Sequence, residues 1–128
     1  MKTKKDLIYA EECYQLMGLA FKVFRELGFG HKESFYQKSL ANEFESNNIN
    51  FTQQLRCKVK YKDEEVGLYI LDFLVFNKIV IELKQKSFIS SKDIDQLYRY
   101  LRATNLKLGL IITFTKDGAR CKRVVNIG

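Results

Sequence analysis

The sequence contains no proline, no low-complexity run and no internal repeat. Proline-rich linkers are therefore excluded, and no composition shift marks a second domain. It has three cysteines, Cys13, Cys57 and Cys121, widely spaced and odd in number. With no C-x-x-C pair, neither a zinc site nor a disulfide framework is indicated, and buried, inert thiols in a reducing cytoplasm fit best. The single histidine, His31, sits in a polar link, where solvent exposure is the simplest reading, and no Ser-His-Asp arrangement can be drawn from the spacing. No apolar stretch approaches the roughly 20 residues that span a bilayer, and "MKTKKDLIYAEE" lacks a signal-peptide apolar region, so no membrane association is expected. "GFGHKE" has the wrong glycine spacing for a phosphate-binding loop or a dinucleotide fingerprint.

What remains is a chain of 128 residues, 46% hydrophobic and 29% charged, read as one folded domain over residues 1–128. It carries 22 Lys and Arg against 15 Asp and Glu, a net charge of +7. That moderate excess favours a polyanionic partner such as nucleic acid. The cations concentrate at Lys2 to Lys5, Lys84 to Lys92 and Arg120 to Arg123.

Apolar residues at Cys13, Met17, Ala20, Val23, Phe24 and Leu27 recur at helical spacing over about 10–27, with Glu11 and Glu12 at the dipole-favoured start and Gly28 placed to end the helix. A second helix is expected over about 32–47, with Phe35, Tyr36, Leu40 and Phe44 on one side. Strands are expected over 51–61, 66–76 and 79–83, joined by hairpins at "KDEE" and near Asn77 and Lys78. "SSKDIDQLYRYLRATN" reads as a third helix, capped by Ser90 or Ser91 and followed by Asn105. "LKLGLIITF" is a buried strand, and the last residues read as a short strand or extended edge. The order is helix, helix, three antiparallel strands, helix, strand. A helical crossover between strands three and four implies parallel pairing, hence a mixed sheet flanked by helices in an α/β fold.

Against this frame "LDFLVFNKIVIELK" stands out, because it places Asp72, Glu82 and Lys84 in strands otherwise apolar on both faces. Glu82 and Lys84, two apart, leave one face. A two-residue loop would set Asp72 opposite Leu83, whereas a three-residue loop, 76–78, would set it opposite Glu82; the sequence leaves both registers open. In the second register two carboxylates about 4 Å apart repel by roughly 4 kcal/mol at an effective dielectric of 20. A divalent cation turns that repulsion into attraction, with oxygen ligands suiting Mg²⁺, Mn²⁺ or Ca²⁺ and a neighbouring lysine serving a bound water or a phosphate. An acid-x-Lys pair also occurs as an ordinary ion pair.

These residues resemble the core of the PD-(D/E)xK nuclease superfamily, with Leu71 where the motif has proline. "GHKESFY" reads as G-x-x-E-x-x-Y through Gly30, Glu33 and Tyr36, and resembles the signature of the GxxExxY family, a small prokaryotic group assigned to that superfamily. "QLYRY", Gln96 to Tyr100, is similar to the Q-x-x-x-Y helix motif of its exonuclease-type branches. The resemblance implies a restriction-endonuclease-like core and a metal-dependent nuclease using Mg²⁺ or Mn²⁺, with DNA the expected substrate. It implies metal ligation by Asp72, Glu82, the Leu83 carbonyl and Glu33, with Lys84 serving the attacking water and Gln96 orienting substrate or lysine. Substrate contacts are assigned to Tyr36 and Tyr100, which packing alone would also explain, and to Lys86, Lys92, Arg99 and Arg102. The alternative is a nuclease fold that binds nucleic acid or a partner without cutting. Sequence preference would need a homodimer or another protein partner.

Overall fold

A computed structural model describes residues 8–127; the cluster Lys2 to Lys5 lies outside them. Three helices and five strands follow in the order α1 (Ala10–Leu27), α2 (Glu33–Ser46), β1 (Phe51–Tyr61), β2 (Glu64–Val75), β3 (Ile79–Lys84), α3 (Ser91–Thr104), β4 (Leu108–Thr115) and β5 (Gly118–Val125). The sheet runs β1-β2-β3-β4-β5, antiparallel except for the β3–β4 pair. That parallel pair is connected by α3, as the crossover requires. The final segment, left between strand and edge by its sequence, is a full eight-residue edge strand.

Each face of the sheet carries its own core. α1 and α2 cover one face through Leu16, Ala20, Val23, Tyr36, Leu40 and Phe44, packed on Phe73, Ile79, Ile81, Leu83 and alternate residues of β4. α3 covers the other through Leu97, Tyr100 and Leu101 against Leu71, Val80, Ile111 and Val124. β4, between β3 and β5, is buried along its whole length, which matches its unbroken apolar run. A Cβ at Gly109 of β4 would lie 2.7 Å from a Leu97 methyl, so glycine allows α3 its close approach. The Ser90 hydroxyl accepts the Asp93 N–H while the Asp93 carboxylate accepts the Ser90 N–H, a reciprocal cap that starts α3. Asn105, at φ 60°, ends it.

Two hairpins position the site. Lys62 and Asp63 are both left-handed and make a two-residue turn, so Glu64 and Glu65 belong to β2 rather than to the loop. Between β2 and β3 the pairs are Phe73 with Ile81, Leu74 with Val80 and Val75 with Ile79. This is the register of the three-residue loop. Phe76 and Asn77 both adopt φ 57°, and the Phe76 N–H donates to the Asn50 carbonyl at 2.9 Å. Two thiol expectations are corrected: Cys13 is buried, but Cys57 is half-buried and Cys121 exposed. Among the described residues no helix is long and apolar enough to cross a membrane.

Candidate active site

The β2–β3 ladder stops at Phe73 and Ile81, although β3 continues to Lys84 beside β4 and β2 continues outward beside β1. At the point of parting, side chains replace the ladder. The Asp72 N–H donates to Glu82 Oε1 at 2.7 Å, and the Leu83 N–H donates to Asp72 Oδ2 at 2.7 Å. Each carboxylate thus spends one oxygen on the opposite strand's backbone and keeps the other. The outer ribbon also turns over here. Leu71 and Phe73 are two apart and would share a face in a regular strand, yet Leu71 packs under α3 and Phe73 under α1 and α2. In β1, Phe51 and Leu55 part company in the same way, across Gln54, which sits at φ 52°. The turnover opens a wedge between the β1–β2 ribbon and β3, with Asp72 at its apex.

Glu82 and Lys84 follow Val80 onto the α3 side of β3. There they line a crevice of about 10 Å³ together with Asp93 and Gln96 of α3, floored by Leu71, Leu97 and Ile111. That volume matches one water, and the polar rim supplies partners for it. Gln96 is brought there by the register of α3: Leu97, its neighbour, is the residue seated on Gly109.

Burial, and then repulsion by Asp72, push the Glu82 carboxyl up to about 7, against the Asp72 N–H and the Lys84 charge. Burial also raises the Asp72 carboxyl, opposed by the Leu83 N–H and Lys84. Glu33, the first residue of α2, is raised by desolvation and next by Asp72. The pair and its outlying third acid therefore resist simultaneous ionisation. Among the described residues no three His, Cys, Asp or Glu side chains gather tightly enough to hold an ion, so Glu33 stands near Asp72 without closing a three-carboxylate set. Two carboxylates with free oxygens do fit a hard cation such as Mg²⁺, which keeps several waters. Asp72 and Glu82 would hold it.

The remaining candidates are distributed unevenly. Tyr36 is buried: its ring stacks on Phe114 at 4.2 Å, and its hydroxyl donates to the Gly28 carbonyl at 2.6 Å and accepts the His31 N–H. Tyr100 is buried beneath α3. Both rings pack in the core, Tyr36 on the α1–α2 side of the sheet and Tyr100 on the α3 side. Gly28, at φ 75° and ψ −168°, occupies a region open to glycine alone, so Tyr36 fastens the link on which Glu33 follows. His31 is half-buried rather than solvated, with Nε2 2.8 Å from the Leu27 carbonyl oxygen. Lys86 pairs with Asp93. Burial would raise the Asp93 carboxyl, but bonds from Lys86 and Ser90 outweigh it and hold it at about 2. Lys92 and Arg99 are exposed on the stripe of α3 that carries Gln96, and Arg102 follows one turn on, its guanidinium beside the Tyr98 hydroxyl.

Two features near or beyond the site are missed by the sequence reading. Asp93 enters it only as part of a helix start, although S-S-K-D marks it as a reciprocal cap. Arg56, Lys58 and Lys60 line the exposed face of β1, where Arg56 lies opposite Ile70 and Lys58 opposite Leu68. Their period of two is the available signal, visible in "RCKVK".

A mixed sheet with its acids where two central strands part, and a lysine two residues on, defines a nuclease-type core. The chain belongs to the PD-(D/E)XK nuclease superfamily, whose family model matches residues 10–124. Members of that superfamily generally use divalent metal ions. The fold of this chain is similar to that of SSO0001, known from a crystal structure (TM-score 0.54, 16% identity, 73% of this chain and 49% of that one). It is also similar to an alkaline exonuclease, LHK-Exo, from Laribacter hongkongensis (TM-score 0.50, 13% identity, 67% of this chain and 52% of that one). The chain thus spans about half the length of each. No curated protein matches it.

Proposed function

We propose that the chain is a metal-dependent nuclease that hydrolyses phosphodiester bonds, with DNA as its substrate. The observation that carries this reading is the water-sized crevice between Glu82, Lys84 and Gln96, beside two carboxylates that each keep an oxygen uncommitted. A divalent cation, Mg²⁺ or Mn²⁺, held by Asp72 and Glu82 would supply a Lewis acid for the developing phosphorane charge. Lys84 and Gln96 orient the attacking water. Its oxygen gives up a proton to solvent as it bonds to phosphorus, the bond to the leaving oxygen breaks, and that oxygen takes a proton from solvent. Lys92, Arg99 and Arg102 offset the acids for an approaching polyanion.

The finer placement is the GxxExxY group, on Gly30, Glu33 and Tyr36. The structure supports a division of labour in that motif: Gly30, at φ 100°, shapes the link, Tyr36 locks it, and Glu33 is delivered towards Asp72. A cytoplasmic setting suits three unpaired cysteines.

Assays on single- and double-stranded DNA and RNA with Mg²⁺, Mn²⁺ or EDTA test the proposal, with Lys84→Ala as control. Metal-dependent product from wild type and none from the variant is expected. Binding without product under every metal would favour the silent module.

A further inference from the structure

A second cavity, of about 320 Å³, opens where β3 runs out of the active site. Gln85 and Lys86, the residues directly after Lys84, form one wall. The β4–β5 turn forms another, with Thr115, Lys116, Asp117 and Arg120, and Phe29 of the α1–α2 link closes it. The volume lies in the range of small-molecule sites.

Three properties specify an occupant. Lys86, Lys116 and Arg120 outnumber Asp117, and Lys86 is already paired with Asp93. Lys116 and Arg120 form no ion pair among the described residues, so two cations are available to an anion. Phe29 is 55% exposed and stands between Gly28 and Gly30, both at positive φ. A link shaped by the Tyr36 hydroxyl thus sets an aromatic ring in the lining of a cationic cavity. Finally, Gln85 and Lys86 follow Lys84 directly in the chain, so the cavity adjoins the candidate active site.

An aromatic face beside phosphate-binding cations takes a nucleotide whose base is free to stack. A base paired within a duplex cannot enter a cavity without leaving its partner and its stack. We propose that this cavity holds one unpaired nucleotide of the substrate, its base on Phe29 and its phosphate against Lys116 and Arg120. The chain then acts at single-stranded or frayed ends rather than within continuous duplex. This inference rests on the nuclease reading and deepens it.

The test measures binding to metal-free protein in EDTA, by fluorescence anisotropy, of a short DNA single strand and its blunt duplex. A single strand carrying 2-aminopurine reports stacking directly. Wild type should prefer the single strand and quench the 2-aminopurine. Phe29→Ala should bind the single strand about tenfold more weakly, with duplex affinity unchanged and quenching abolished. Phe29→Trp should restore both, which separates stacking from any loss of folding. Lys116→Ala with Arg120→Ala should weaken single-strand binding and flatten its salt dependence. Wild-type single-strand affinity in Phe29→Ala, or equal losses on strand and duplex, overturns the inference. In that event metal-dependent cleavage by wild type would still stand and keep the nuclease reading. Wild type that neither binds nor cuts any nucleic acid removes the nuclease reading, and this inference with it.

Discussion

Asp72 and Glu82 are tied to each other's strands: the Asp72 N–H donates to the Glu82 carboxylate, and the Asp72 carboxylate accepts the N–H of Leu83, the residue after Glu82. These bonds hold two acids together without a cation, and burial makes that costly when both are ionised. The metal-free protein should therefore be less stable at neutral than at mildly acidic pH. The folded carboxyl of Glu82, at about 7, lies above its ordinary value of 4.5, so the folded state binds more protons between them. Stability is then fully present below about 4.5 and falls as pH rises towards 7, by about 3 kcal/mol at most. Asp72 is shifted the same way. Denaturant titrations in EDTA at several pH values should show the decline, and Glu82→Gln should flatten it.

Divalent cation should reverse that loss. At 100 times its dissociation constant, Mg²⁺ or Mn²⁺ should stabilise the fold by about 2.7 kcal/mol. The gain should grow as pH rises through the Glu82 titration, because protons compete for the same oxygens. Thermal melts with and without metal measure it. An unchanged gain in the double variant Asp72→Asn, Glu82→Gln would place the ion elsewhere.

Tyr36 should matter through packing and position. Tyr36→Phe keeps the stack on Phe114 but loses the bond to the Gly28 carbonyl, and should cost about 1 kcal/mol. Tyr36→Ala removes the buried ring and should cost about 3–5 kcal/mol. Chemical denaturation of both variants checks the order and the size of the gap.

The legible parts of the fold were those fixed by local chemistry. The α1 stripe, the Ser90 cap and the Asn105 stop each rest on side chains acting within one or two turns. The buried run of β4 and the crossover through α3 followed from length and topology. What escaped were left-handed residues of the wrong type. Phe76 is aromatic and Gln54 is no turn former, so only the tertiary bond to Asn50 and the turnover of the ribbon reveal them. The β2–β3 register hung on Phe76, and with it the meeting of Asp72 and Glu82. The motif acids were readable as residue types but not as neighbours. Tyr36 and Tyr100 show the converse: a family pattern marks them equally with the acids, yet their surroundings are core.

The approach of α3 gives a prediction at a distance from the acids. Gly109→Ala would push a methyl into Leu97, at a separation of 2.7 Å that side-chain motion must relieve. The cost should be about 1–3 kcal/mol. Because Gln96 adjoins Leu97, cleavage should fall more than stability predicts. Comparing activity at a temperature where both proteins are fully folded separates the two effects.

Lys84 and the α3 cations should fail in different ways. Lys84 borders the crevice where the water would sit, so Lys84→Ala should abolish cleavage and leave most of the binding. Lys92, Arg99 and Arg102 lie on or beside the exposed Gln96 stripe of α3, where, under the proposed function, they would meet the polyanion. Replacing them with alanine should weaken binding and lower the log–log salt slope. The step should be roughly 0.7 for each single-strand phosphate that the variant no longer neutralises, or 0.9 for duplex. Its size thus reports which form of nucleic acid lies along α3. If Lys84→Ala and the α3 variants depress affinity alike, and no metal yields product, the acids serve a binding module and Lys84 is one cation among several that hold the polyanion.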